Sequence, residues 1–200
     1  MSALPLGPFA IALLSLFFVS ASTSADADGI DKYFTGELEH LYVIKGNVNI
    51  HDTLLSTSFD ANGKRLERLS EKKGKVLLVT LWREGCLRCK MHMQQLAKAQ
   101  EHYGKNTLEV IAINLDLKPN AHVRRYMDRK GLENLTAYQD YTRNFLSRIS
   151  VDPDLRFTGR GPITLIVDPA GQVRATASSG RNWLSPEAEA LIGALADAHT

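Results

Sequence analysis

The stretch VLLVTLWREGCLRCKMHM, residues 76–93, joins a nearly unbroken apolar run to both cysteines of the chain, Cys86 and Cys89. Val76 to Trp82 carries no charge and is rich in β-branched and aromatic residues. Such a run suits a central strand buried on both faces. Gly85 follows. From about Leu87 to Tyr103 the apolar residues Leu87, Met91, Met93, Leu96, Ala97 and Ala99 recur with helical periodicity, and Gly104 is a natural terminator. The cysteines therefore fall where a buried strand hands over to a helix.

Working outward, LEVIAINL at 108–115 reads as a second buried strand. A helix is expected from about Ala121 to Lys130, after Pro119 and Asn120, and another over Tyr141 to Ile149. ITLIV at 163–167 predicts a third strand, DPAGQ at 168–172 a turn, and Val173 to Ala177 a fourth strand. The last helix starts near Pro186 and runs to about Ala196, with Glu187 and Glu189 in its first turn, where acids favour the helix dipole. On the N-terminal side, LYVI at 41–44 reads as a short strand, and residues 54–69 as two extended pieces around Asn62-Gly63. Two parallel strands joined by a crossover helix, then a hairpin, predict one α/β domain with a mixed sheet.

Residues 1–25 carry no charged side chain, and FAIALLSLFFV at 9–19 is followed by the small residues SASTSADA. This is the layout of a secretory signal peptide, with cleavage expected after Ala21, Ala25 or Ala27. A retained N-terminal anchor is the alternative, although the apolar stretch is short for a span of about 20 residues. No cysteine lies near the cleavage region, which excludes a lipidated N-terminus. The whole chain has 44% apolar content and a net charge of only +2 over 200 residues. There is no basic run or acidic tail, so neither a nucleic-acid partner nor a peripheral membrane patch is implied.

Outside the cytosol a pair of thiols oxidises readily. A purely structural crosslink over two residues would constrain the unfolded chain little, because loop-closure entropy rises with loop length. Half of a zinc site is a second possibility, but four soft ligands are usual and no second cysteine pair exists. Redox chemistry is the third. Cys86 at a helix N-terminus would have its thiolate stabilised by unpaired N–H groups, and Cys89, one turn in, could resolve a mixed disulfide. Arg88 should favour the thiolate and Glu84 should oppose it. His92, three residues after Cys89, could as a neutral imidazole take the Cys89 proton. His40, His51, His102, His122 and His199 are scattered, and surface placement is the expectation for each. Asp116, Lys118 and Asp140 read as solvated turn residues.

Further residues fall into an ordered pattern. Phe59-Asp60, Gly63-Lys64 and Leu69 precede Gly74-Lys75-Val76 and the strand ending at Trp82. Then come Cys86-Leu87-Arg88-Cys89, Gly161-Pro162-Ile163-Thr164-Leu165 with Asp168 and Gly171, and finally Gly180 with Trp183-Leu184-Ser185-Pro186-Glu187. This series resembles the exported thiol–disulfide oxidoreductases of the TlpA/ResA/DsbE group, within the thioredoxin-like superfamily. With the leader, a signal peptide or retained anchor, over 1–25 and an extension over 26–54, the resemblance implies a thioredoxin-like domain over 55–200. That domain is an α/β fold with a central mixed sheet flanked by helices and a central insert.

It also implies a Cys86/Cys89 dithiol that reduces disulfides in exported, periplasmic partner proteins, as in cytochrome c or metal-site maturation. No cofactor is implied, and a membrane electron donor would keep the dithiol reduced. Gly161 and Pro162 would take the place of the family's cis-proline loop and, with Trp82, border the partner's docking surface. Three positions depart from the pattern: Gly85 replaces an aromatic residue, His92 a glutamate and Gln94 a proline. The alternative function is a copper chaperone of the same fold, using Cys86, Cys89 and His92 as soft donors. A domain without enzymatic activity is a third reading. A peroxidase is less favoured, because the local sequence lacks a Thr/Cys/Arg arrangement for that chemistry.

Overall fold

The computed structural model describes residues 29–56, 66–116, 118–140, 143–151, 155, 161–178 and 180–198. The leader, Phe59, Asp60, the Asn62-Gly63 turn, Lys64 and Arg160 lie outside the described residues. Eight strands form one mixed sheet: β1 (Tyr42–Val43), β2 (Leu54–Ser56), β3 (Leu66–Arg68), β4 (Val76–Trp82), β5 (Leu108–Asn114), β6 (Ala137–Gln139), β7 (Ile163–Val167) and β8 (Val173–Ser178). Their order across the sheet is β1-β8-β7-β4-β5-β6-β2-β3. The helices are α1 (Leu87–Thr107), α2 (Asn120–Asp128), α3 (Asn144–Val151) and α4 (Pro186–Asp197).

β4 and β5 are buried along their whole length; their largely apolar runs suit this, and Thr80, Glu109 and Asn114 are the polar exceptions. They pair in parallel, with Val76 opposite Leu108 and Trp82 opposite Asn114, and α1 makes the crossover. β7 lies antiparallel on the other side of β4 and folds back as a hairpin onto β8. The hairpin turn is built around Asp168. Its carboxylate accepts from the N–H groups of Ala170 and Gln172, both at 2.9 Å, and from Arg174 Nε at 2.7 Å. Residues 29–50 join this body: β1 adds to the edge at β8, and Ile30, Leu38 and Leu41 are buried against α4 and its neighbours.

The alternation of side chains along each strand divides the core into two layers. Val76, Leu78 and Trp82 of β4 face the layer that holds Met93, Leu96, Val123, Met127, Leu191 and Leu195, the buried faces of α1, α2 and α4. Leu77, Val79 and Leu81 face the opposite layer, with Phe145 and Ile149 of α3. The sheet thus has helices on both sides, the α/β sandwich expected. Among the described residues, no helix is long and apolar enough to cross a membrane.

Three details differ from the sequence reading. Helix α1 is assigned through Thr107, yet Gly104 inside it is non-helical at φ +69°, so regular helix does break at the expected glycine. Helix α3 begins at Asn144 rather than Tyr141, where the Asp140 carboxylate accepts the N–H of Leu146 at 2.8 Å and defines the first turn. Strand β6 was not expected, because three residues with a glutamine carry no periodic signal. Pairing of Ala112, Ile113 and Asn114 with Ala137, Tyr138 and Gln139 creates it.

Candidate active site

The loop Arg83 to Gly85 leaves the C-terminal end of β4 and delivers Cys86 to the N-cap of α1. Gly85, which stands where the resembling group has an aromatic residue, takes φ +73°, a left-handed conformation that favours glycine. Cys86 and Cys89 form a disulfide, with Cα atoms 5.1 Å apart. The Cys89 N–H donates to Cys86 Sγ at 3.1 Å, so the Cys86 sulfur occupies the place of an N-capping oxygen. The two cysteines differ in access: Cys86 is partly exposed and Cys89 is buried. That asymmetry suits an attacking and a resolving thiol, and the helix terminus stabilises a negative sulfur at Cys86 only.

His92 lies one turn further, buried at 1% exposure, with its Nε2 at 2.6 Å from Thr164 Oγ1 on β7. Its Nδ1 is buried without a partner. Burial, together with the positive charge of Arg181, pushes the imidazole down to about 4. A group that weakly basic is a poor acceptor for a thiol proton, since an ordinary thiol titrates near ~8.5. Its geometry instead ties α1 to β7.

Trp82 is not on a docking surface. It is 2% exposed, and its ring stacks on Tyr126 of α2 with centroids 5.8 Å apart. The reason is its place as the last residue of a strand buried on both faces. The register of Leu81 opposite Ile163 sets Pro162 at the end of β4 from which the loop to Cys86 departs. Gly161 is exposed and Pro162 buried. No peptide bond among the described residues is cis, so Gly161–Pro162 is trans, and the chain turns there through Gly161 at φ +78°. This differs from the cis geometry that the resemblance implied.

Helix α1 also corrects the periodicity reading. Leu87 is 73% exposed and Met91 62% exposed, one turn apart and adjoining Cys86. Its buried face instead includes His92 and Gln100. The Gln100 amide earns that place by bridging β5: Nε2 donates to Leu108 O at 3.0 Å, and Oε1 accepts from Val110 N–H at 2.7 Å. Arg88 is exposed between the cysteines.

Glu84 has more company than its neighbours in sequence suggest. Its Oε2 accepts from Lys118 Nζ at 2.9 Å and lies 3.0 Å from His122 Nε2. Its N–H donates to Asp116 Oδ2 at 2.7 Å. Sequence reasoning weighed Asp116 and Lys118 for the active-site edge but favoured a solvated turn, and put His122 at the surface; Lys118 and His122 do keep 44% and 39% of their side chains exposed while reaching Glu84. The missed signal is the parallel pairing of β4 with β5, which brings the two strand ends, and the loops that follow them, side by side. Among the described residues, no group of three or more His, Cys, Asp or Glu side chains is placed to hold a metal ion, and His92 turns to Thr164. The copper alternative therefore finds no third ligand in His92.

Residues 53–176 match the family model described as AhpC/TSA family. Over 114 residues the chain is 31% identical to the thiol-disulfide oxidoreductase ResA of Bacillus subtilis, a match that covers 57% of this chain and 58% of ResA. A structure assigned as a thiol:disulfide interchange protein DsbE from Chlorobium tepidum superposes with a TM-score of 0.58 at 20% identity, covering 75% of this chain and 96% of that one. A secreted Mycobacterium tuberculosis disulfide oxidoreductase homologous to E. coli DsbE superposes at 0.51 and 14% identity, covering 72% and 96%. The structural likenesses establish the fold, and the ResA match carries the relationship at the level of sequence. With a family match that runs from Thr53 through both cysteines to Thr176, this chain belongs to the AhpC/TSA family and is a thioredoxin-fold relative of the TlpA/ResA/DsbE-type proteins.

Proposed function

We propose that the chain is an exported thiol–disulfide oxidoreductase that reduces disulfides in partner proteins. The observation that carries this reading is the Cys86–Cys89 pair at the head of α1, with Cys86 partly exposed at the N-cap and Cys89 buried behind it. In the reduced protein the Cys86 thiolate attacks one sulfur of a partner disulfide. The partner S–S bond breaks, a mixed disulfide forms, and the released partner thiolate takes a proton. Cys89 then loses its proton and attacks Cys86 Sγ, which frees the second partner thiol and closes the intramolecular bond. Two electrons pass from the dithiol to the partner. A membrane electron donor would return them.

His92 serves this chemistry as an orienting group, holding the turn that carries Cys89 against Thr164. Exposed Leu87 and Met91 offer the partner an apolar contact beside the nucleophile. The charge-free leader pattern over 1–25 supports export. The reductive direction follows the resemblance to the TlpA/ResA/DsbE group.

The test is trapping. A Cys89→Ser variant of the full chain, reduced and offered a disulfide-bonded partner such as insulin, should accumulate a mixed disulfide that dithiothreitol releases. A Cys86→Ser variant that keeps Cys89 as its one thiol should trap little or nothing. Equal trapping by both would sink the assignment of Cys86 as nucleophile.

A further inference from the structure

A carboxylate close to a nucleophilic cysteine is a handicap, because it opposes the thiolate. Glu84 is such a carboxylate. It is two residues from Cys86, so covalent geometry keeps the two Cα atoms within about 7 Å. Its side chain is only 12% exposed, and water screens it poorly. The chain nonetheless retains a negative group there and surrounds it from a different element. Lys118 lies in the loop after β5, and His122 in the first turn of α2. Both reach the same oxygen, Oε2.

The surroundings are fixed rather than incidental. The Gln139 side-chain amide on β6 donates to the backbone carbonyls of Asp116 at 3.2 Å and Lys118 at 2.7 Å, which holds the loop carrying Lys118. Asp116 accepts the Glu84 N–H and orders its own loop through Asn114 Oδ1, which accepts the Asp116 N–H at 2.9 Å. Burial would push the Glu84 carboxyl up. The Lys118 ammonium and the His122 ring outweigh this and hold it below the ordinary carboxylate range. Glu84 is thus ionised, and its charge is answered by groups from the loop after β5 and from α2.

We infer that Lys118 and His122 are positioning residues for the Cys86 thiolate, acting through Glu84: the Lys118 charge and the His122 ring contact answer its carboxylate and fix the loop that presents the nucleophile. The inference rests on the dithiol reading of Cys86 and Cys89, and assigns the reactive state of Cys86 to residues in the loop after β5 and on α2 that no local motif contains. Charge cancellation, not loop placement alone, is the working element. A variant lacking Lys118 and His122 but keeping Glu84 should therefore be worse than one lacking all three.

The experiment titrates the single remaining thiol of the full chain carrying Cys89→Ser, by thiolate absorbance and by the pH dependence of iodoacetamide alkylation. Adding Lys118→Met and His122→Gln should raise the Cys86 pKa by roughly half a unit to one unit and slow alkylation at neutral pH by about three- to ten-fold. Lys118→Arg should leave both unchanged. Adding Glu84→Gln to the variant lacking Lys118 and His122 should bring the pKa back. If the variant lacking Lys118 and His122 titrates like its parent, or if Glu84→Gln fails to restore it, the inference is overturned. The titration reads the thiol itself. A protein that shows these shifts yet never exchanges disulfides would sink the functional reading and leave the tuning standing.

Discussion

His92 makes a stability prediction that can be worked through in numbers. Its imidazole is held at about 4 in the folded protein, first by burial and then by the Arg181 charge, against an ordinary value of 6.5. The unfolded chain therefore binds a proton that the folded chain refuses between those two values. The depressed folded value means that stability is complete above about pH 6.5 and falls as pH drops toward 4. One proton of difference is worth about 1.4 kcal/mol per pH unit, so the loss between pH 7 and pH 4 comes to about 3 kcal/mol. A His92→Gln variant keeps a side chain able to bond Thr164 and removes this titration. Urea unfolding of both proteins at several pH values between 4 and 7 gives the difference directly. The parent should lose about 3 kcal/mol more than His92→Gln over this range. Contributions from His51, which burial also lowers, are common to both and cancel. Parallel stability curves would show that His92 is not a buried neutral imidazole, and its role as a tie between α1 and β7 would fall with it.

Three further outcomes follow from particular side chains. Trp82→Ala removes the ring stacked on Tyr126 and should cost about 3–5 kcal/mol in urea unfolding, with loss of the stacked aromatic signal in near-ultraviolet circular dichroism. Gly171→Ala should destabilise more than Gly85→Ala. Both take positive φ, a strain of about 1–2 kcal/mol, but an added Cβ meets nothing at Gly85 and runs into the His51 ring at Gly171. Equal thermal shifts would refute the contact. Burial works to raise Glu109, but Lys72 at 2.8 Å and Lys75 at 3.0 Å hold its carboxyl below the ordinary range. Its stabilisation is therefore present above the unfolded value and lost as pH falls through the folded one. Glu109→Gln should cost about 1–3 kcal/mol at pH 7 and progressively less in acid.

The sequence revealed much of this because some signals are local. The run Val76 to Trp82 is apolar at every position but Thr80, so its burial on both faces needed no tertiary information. Local signals likewise mark β5 through its apolar VIAI at 110–113, the β7–β8 hairpin around DPAGQ, and the Cys86 position between strand and helix. What stayed hidden depended on partners distant in the chain. Leu87 and Met91 fit an apolar periodicity, yet the sheet covers the face of α1 bearing His92 and Gln100, whose polar groups find Thr164 and the start of β5. Trp82 belonged by motif to a docking surface and by burial to the core. Glu84 could be assigned a sign from sequence, but its cancellation by Lys118 and His122 required the parallel register of β4 and β5.

The most direct test of the central claim is redox equilibration of the full chain, Cys86 and Cys89 intact, against a dithiothreitol and glutathione series with thiols counted by alkylation and mass. The account predicts one reversible two-electron transition, two thiols gained per molecule, with a midpoint near or below about −250 mV, in the range of thioredoxin-type reductants. A midpoint near about −120 mV would reverse the proposed direction of electron flow. A pair that never cycles would contradict the oxidoreductase assignment itself.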